Sequence, residues 1–280
     1  MALTGDIQIG ERILSAQNIA DYIMRGVYFE HDNNDAKDEA IASISKLIFQ
    51  RLTDQHPDLF SIVKVLAPVA TNGNLRVWAN DKMVQSQLVQ SSLGGTMSNL
   101  DSPTHIVTFS NGSGNKIDAY LAETISYTQG RCLSQSGYRQ STLKVQVINS
   151  APSKGLPAYT TGRLDLDSPF PSVQGSTRLV VYVHVPIGSM FSSASMNGKS
   201  VDLLSSGMDL GRVVWMFTVD SESKTTKNLT VKFTETALPT NPTPELFVPP
   251  MAHPVSLKVT KGSRCILSLI HISEPTRRYA

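Results

Sequence analysis

The clearest alternation in the chain runs from Leu143 to Asn149, where Leu143, Val145 and Val147 are separated by Lys144 and Gln146. A period of two places the apolar set on one face of a β-strand. Two further runs stand before it. Ile106, Val107 and Phe109 begin a strand that stops at Asn111-Gly112-Ser113-Gly114, and a second extended run goes from Lys116 to Tyr127 and ends at Gly130-Arg131-Cys132. Between two strands, asparagine and glycine read as a hairpin turn, because they reach positive φ at little cost.

Upstream of Thr104 the spacing becomes helical. Leu3 to Ile9 reads as a strand with a turn at Gly5-Asp6, and Ser15 as the N-cap of a helix carrying Ile19, Tyr22, Ile23 and Val27. His31 to Asn34 breaks that helix, and Asp35 begins the most regular one, with Ala40, Ile41, Ile44, Leu47, Ile48 and Leu52 on a single stripe. Pro57 suits the first position of a third helix over 58–66, and Pro68 is expected to end or kink it. Leu75 to Ala79 reads as a strand with Trp78 as a core anchor, Asp81 as the cap of a short helix, and Gly94 to Pro103 as a loop.

Downstream of Cys132, strands and turns alternate every 8–12 residues or so, as in a sandwich. Arg178–Val185 is one strand, and Asn197-Gly198 marks a tight hairpin between 190–196 and 200–204. Val213–Val219 and Leu229–Thr234 read as another strand pair, with Trp215 in the core. Prolines 239, 242, 244, 249, 250 and 254 keep that stretch out of any sheet centre, and Val255–Val259 reads as the last strand. The expected class is α+β: a mixed α/β region over 1–103, connecting strands over 104–133, and an all-β immunoglobulin-like sandwich over 134–265. Residues 266–280 resemble translated sequencing-adapter DNA and are set apart as a non-native tail.

Charge and chemistry narrow the function by exclusion. With 25 basic and 23 acidic residues the net charge is +2, which offers no nucleic-acid footprint. No apolar run reaches the roughly 20 residues needed to span a bilayer, and Met1 to Thr4 does not begin a signal peptide. The spacings of a nucleophile elbow, a phosphate-binding loop and a zinc protease helix are all missing. The six histidines (31, 56, 105, 184, 253 and 271) are isolated in sequence, and His184 within its apolar strand reads as a surface or hydrogen-bonded position. Asp165 and Asp167 can share a strand face, but two carboxylates are few for a cation that takes six to eight oxygens. No catalytic residue, metal or cofactor is assigned. Asn111-Gly-Ser and Asn228-Leu-Thr match the glycosylation sequon, which matters only in a eukaryotic secretory pathway.

Three blocks carry a resemblance: Leu3-Thr4-Gly5-Asp6 leading to Leu14–Ile23, then Arg76–Ala79, and then Phe109–Leu121 followed by Cys132 and Leu156–Gly162. In this order they resemble the C-terminal half of the bacterial domain-of-unknown-function family 4012 (DUF4012). The resemblance implies an extracytoplasmic envelope body, anchored in the full-length protein by an N-terminal membrane helix that this chain lacks, and it supplies no catalytic residues. It implies a non-catalytic binding or structural module whose partner is cell-wall polymer or an envelope protein. The alternative is an enzyme acting on lipid-linked wall glycopolymers. It follows from a looser similarity of Gly5-Asp6 and Leu14–Ile23 to the LytR-CpsA-Psr phosphotransferases, although Arg12, Arg25 and Arg51 are scattered along the sequence. In an oxidising compartment Cys132 and Cys265 are candidates for a bridge closing the sandwich, worth about 4–5 kcal/mol by loop entropy. The other reading is two free thiols, with Cys265 at the seam of the anomalous tail.

Overall fold

A computed structural model describes residues 3–31, 33–91, 93–94, 104–133, 137–162, 173–238 and 240–265. The expected tail and the Asp165/Asp167 pair lie outside these residues. The class is α+β: a small helical layer precedes two large sheets that share one core.

The N-terminal layer is built on a two-stranded hairpin, β1 (Ile7–Ile9) and β2 (Arg12–Leu14), turned at Gly10. Short helices α1 (Ile19–Asp21) and α2 (Val27–Glu30) flank a π turn, Tyr22–Gly26, and the long α3 spans Asn34–Gln55. The apolar stripes read from sequence meet here: Tyr22, Val27 and Ile44 pack with Ile7 and Leu14. Two caps sit elsewhere than expected. Ser15 holds the turn before α1, but Asn18 is the capping position, and α3 begins one residue before Asp35, with Asn33 Oδ1 accepting from the Ala36 amide at 2.8 Å. Asn33 bonds the backbone a turn ahead as Ser or Asp would, whereas Asn18 Oδ1 accepts instead from the Ser15 amide behind it.

Helix α4 (Leu59–Thr71) is capped by Asp58, so Pro57 lies outside it, and the helix continues past Pro68. A proline three residues from a helix end removes one backbone bond and leaves most of the ladder intact. Residues 75–79 form no strand, and Trp78 is 74% exposed. Its apolar neighbourhood in sequence finds no sheet to join. Asp81 does cap α5 (Lys82–Val89), accepting from the amides of Met83 and Val84 at 2.9 Å.

The first large sheet has the order β12-β3-β6-β10-β9, and the second has β13-β4-β5-β11-β7-β8. Their strands are β3 (Thr104–Asn111), β4 (Leu121–Leu133), β5 (Tyr138–Asn149), β6 (Thr177–Val185), β7 (Met190–Met196), β8 (Lys199–Ser200), β9 (Ser205–Asp209), β10 (Arg212–Ser221), β11 (Thr226–Thr236), β12 (Glu245–Phe247) and β13 (Ser256–Thr260). Alternating residues of both sheets fill the space between them, among them Val107, Val181, Trp215 and Phe217 from one and Ile125, Val145, Val231 and Phe233 from the other. β7 and β8 turn at Asn197-Gly198, both at positive φ, as the dipeptide predicts.

Three expectations about pairing are corrected. The strands expected to connect, β3 and β4, are members of the two sheets, so the sandwich begins at Thr104 rather than at 134. They do not pair with each other. The Asn111–Gly114 turn carries the chain from one sheet to the other, and residues 117–120 form a 3-10 turn before β4 starts. The Asn111 amide organises that crossover: its Nδ2 donates to Asn115 O at 2.9 Å and Asp118 Oδ2 at 2.6 Å, and its Oδ1 accepts from the amides of Ser113 and Gly114. Likewise β10 and β11, expected to pair, lie in opposite sheets. Alternation specifies a buried face, and both members of an inter-sheet arch have one.

The helical layer touches the sandwich through aromatic and amide groups. Tyr159, on α6 (Ala158–Thr161), donates its hydroxyl to Asn34 Oδ1 at 3.0 Å and stacks on Tyr28 at 5.8 Å. The Lys37 ammonium lies 5.1 Å from the Tyr159 ring centre, and Arg25 lies over Tyr120.

Candidate functional site

One end of the sandwich interior is polar. On β4, Tyr127 and Gln129 continue the inward face of Leu121 and Ile125; on β5 it is Arg139 and Ser141, and on β11 it is Glu235. His105 projects from β3 beside Val107, fully buried, with its ring 4.1 Å from that of Tyr127. Glu235 gathers the group. Its Oε2 accepts from His105 Nε2 at 2.9 Å and its Oε1 from Ser141 Oγ at 2.6 Å, and the Tyr127 hydroxyl donates to the same Oε1. Burial alone would raise the Glu235 pKa. The hydrogen bonds from His105, Ser141 and Tyr127 outweigh it and hold the carboxyl below its ordinary range. Burial, with the neighbouring Glu235 carboxylate, drives the Tyr127 phenol far above its ordinary value.

Serine, histidine and glutamate together bring a hydrolase triad to mind, but the connectivity is wrong. In a triad the imidazole takes the proton of the serine and the carboxylate holds the far side of the ring. Here Ser141 and His105 both donate to Glu235, His105 Nδ1 has no partner among the described residues, and neither side chain reaches solvent. A nucleophile needs a base within reach and space for substrate. This group instead plugs the end of a core. Sequence reasoning missed His105, Glu235 and Arg139 as members of one cluster. The available signal was a polar residue at an inward position of an alternating strand.

Arg139, 1% exposed, stands beside the plug. Its Nη2 donates to Asn241 Oδ1 and Ser263 O at 3.1 Å and lies 3.3 Å from Cys265 Sγ. Cys265 is joined to Cys132 by a disulfide with Cα atoms 5.5 Å apart. A bulge prepares this position. Gln129 faces Ser141 and Cys132 faces Arg139, so β4 spends three residues where β5 spends two, and Cys132 takes the inward place that Arg131 would otherwise occupy. Gly130 makes the bulge, since a Cβ there would collide with the Gln140 carbonyl.

At the opposite end of β4, Glu123 is buried with no carboxylate-binding cation bonded to it among the described residues. Burial first, and then repulsion by Asp118, raise its pKa to about 7, while His253 pulls the other way. Its folded pKa therefore exceeds its unfolded value, and stability falls as pH rises from about 4.5 through 7. Glu123→Gln is expected to raise the thermal midpoint at pH 8 and leave it unchanged at pH 4. The gain is at most about 3 kcal/mol. Thermal melts at the two pH values check it, and an equal shift at both would contradict this assignment.

The remaining candidates disperse. His184 Nε2 sits 2.9 Å from Asp209 Oδ2, a buried hydrogen-bonded histidine as expected. Arg12 pairs with Glu30, Arg25 with Asp21, and Arg51 with the backbone carbonyl of Asp6, so each has its own local partner. Among the described residues no three His, Cys, Asp or Glu side chains are placed to hold a metal. An open groove of about 540 Å³ lies against the exposed Trp78 indole, lined also by Asn80, Lys82, Gln85 and Val89. Among the described residues no helix is long and apolar enough to cross a membrane.

No family model and no curated protein matches the chain. Among solved structures it is similar to a protein described as nutrient-binding from Legionella pneumophila subsp. pneumophila str. Philadelphia 1. The identity is 11% over 48% of this chain and 44% of that one, with a TM-score of 0.28. It is also similar to an M1 zinc metallopeptidase from Deinococcus radiodurans, at 14% identity over 46% of this chain and 22% of that one, with a TM-score of 0.21. The chain thus spans less than half the length of either.

Proposed function

We propose that the chain is the extracytoplasmic body of a bacterial cell-envelope protein, a non-catalytic binding or structural module. It carries an immunoglobulin-like sandwich akin to DUF4012, and in the full-length protein it is held to the membrane by a preceding helix. The observation that carries the reading is the Cys132–Cys265 bridge. Disulfides persist in oxidising compartments and are reduced in the cytosol, and this one holds the end of the described chain to the sandwich. The engagement of His105, Ser141 and Glu235 with one another, away from solvent, agrees with a structural role for the chemically capable side chains. Two exposed surfaces suit a partner: the Trp78 groove, whose indole could stack on the sugar rings of wall polymer, and the uncovered apolar side of α4 at Leu59, Phe60 and Val63.

Compartment is the testable core of this reading. The full-length protein in intact cells is expected to react with a membrane-impermeant maleimide only after mild reduction, with both cysteines labelled. Labelling that requires cell lysis, or that proceeds without reductant, would overturn it.

A further inference from the structure

Residues 240–265 are used twice. β12 adds to the β3 edge of one sheet and β13 to the β4 edge of the other, both parallel, so one strap closes the same side of both sheets. Parallel addition means that no hairpin ties either strand to its neighbour. The strap is seated instead by discrete contacts. Thr104 Oγ1 donates to Glu245 Oε2 at 2.9 Å, His253 Nε2 meets Ala119 O at 2.9 Å, and the Gly262 amide donates to Gln129 Oε1 at 3.1 Å. Arg139 holds Ser263, and the bridge holds Cys265. Gly262 fits only because it has no side chain: a Cβ would stand 2.8 Å from both Arg139 Nη1 and the Gln129 carbonyl.

The core does not need this strap. Among the described residues, all its buried members come from residues 107–233, and the strap adds only the half-buried Leu246, Val248 and Val255. Every residue of β13 is exposed. Lifting the strap also relieves a defect, since Arg139 Nη1 is buried without a hydrogen-bond partner among the described residues and water would supply one. The prolines between β12 and β13 cannot pair with either sheet, which leaves the two strands linked by an extended connector.

We propose that the disulfide is a latch, and that opening it turns the β3 and β4 edges into an acceptor for an extended strand, occupied in trans by the 245–260 segment of a second copy. The occupant follows from the cis arrangement: those edges already take this sequence, in this register and direction. In the opening step a dithiol gives two electrons and two protons to the bridge, leaving Cys132 and Cys265 as thiols and itself as a cyclic disulfide. Cys132 is the partly exposed partner, so attack comes at its side. Exchange of identical elements between copies is a low-cost route to a dimer. The proposal is independent of compartment, so it can fail while the envelope reading stands, and the reverse.

The test uses the full chain and a fluorescent synthetic peptide of residues 243–261. The oxidised chain is expected to leave the peptide free. The chain reduced with dithiothreitol, and the Cys132→Ser/Cys265→Ser variant, are expected to bind it. Amides of Ser256–Thr260 should then exchange about tenfold faster or more, with those of Val145, Val147 and Val181 unchanged. At high concentration the reduced chain alone should form a dimer that competes with the peptide. Any of three results overturns the proposal: reduced chain that does not bind the peptide, reduced chain that keeps its strap protection, or reduction that deprotects the core strands together with the strap.

Discussion

A fragment spanning residues 104–265 is expected to fold alone, and one spanning 134–265 is expected not to fold at all. The shorter fragment keeps every strand from β5 onward but loses β3 and β4. These strands bury Ile106, Val107, Leu121, Ile125 and Tyr127, each at most 2% exposed, the last four in the core between the sheets. At about 1.5–3 kcal/mol for each buried apolar side chain, their loss removes about 10 kcal/mol. That equals the whole net stability of an ordinary domain, about 5–15 kcal/mol. The topology makes matters worse. β6 and β5 would each become a bare sheet edge flanked by exposed core, and β12 and β13 would have no strand to join. Amide spectra of the two fragments decide the matter: dispersed signals from 104–265 and collapsed ones from 134–265 are expected. A dispersed spectrum from 134–265 would return the boundary to the place that sequence punctuation suggested.

That boundary shows what alternation can and cannot convey. The spacing at Leu143, Val145 and Val147 identifies the inward face of β5 correctly, and Asn197-Gly198 fixes its hairpin because the turn itself demands two positive φ values. Both are local facts. Asn111–Gly114 has the same turn chemistry, yet it links two sheets: β3 before it takes β6, more than sixty residues on, while β4 after it takes the following strand β5. The polar plug was illegible for the same reason. His105, Tyr127, Ser141 and Glu235 sit on four strands, and nothing local to any of them announces the other three. Trp78 failed in the opposite direction: its flanking valine and alanine look like strand, but residues 75–79 form none, and the indole is exposed. The bulge at Gly130 is the subtlest case, since a single extra residue decides whether Cys132 or Arg131 faces the strap.

The largest single-residue effect is expected at Glu235. Its carboxylate is the common acceptor for His105, Ser141 and Tyr127, and it is 4% exposed. Glu235→Ala leaves three donors facing a dry void. Breaking a buried charged group away from its partners costs about 3–5 kcal/mol. In a domain of this size that lowers the thermal midpoint by about 10 °C. Glu235→Gln keeps the volume and an acceptor for Ser141 and Tyr127, but it turns an amide N–H toward His105, so an intermediate loss is expected. The sign of the pH dependence follows from the depressed pKa. A folded value below the unfolded one contributes stability that is fully present above about 4.5 and is lost as pH falls through the folded value. The parent protein should therefore weaken on acidification below about pH 4.5, and Glu235→Ala should lack that part of the acid limb. Chemical denaturation of the three proteins at pH 7 and pH 3 measures both effects. If Glu235→Ala stays within about 1 kcal/mol of the parent at pH 7, the carboxylate is not the keystone of the plug, and the stability of that end must rest on the strap and its bridge.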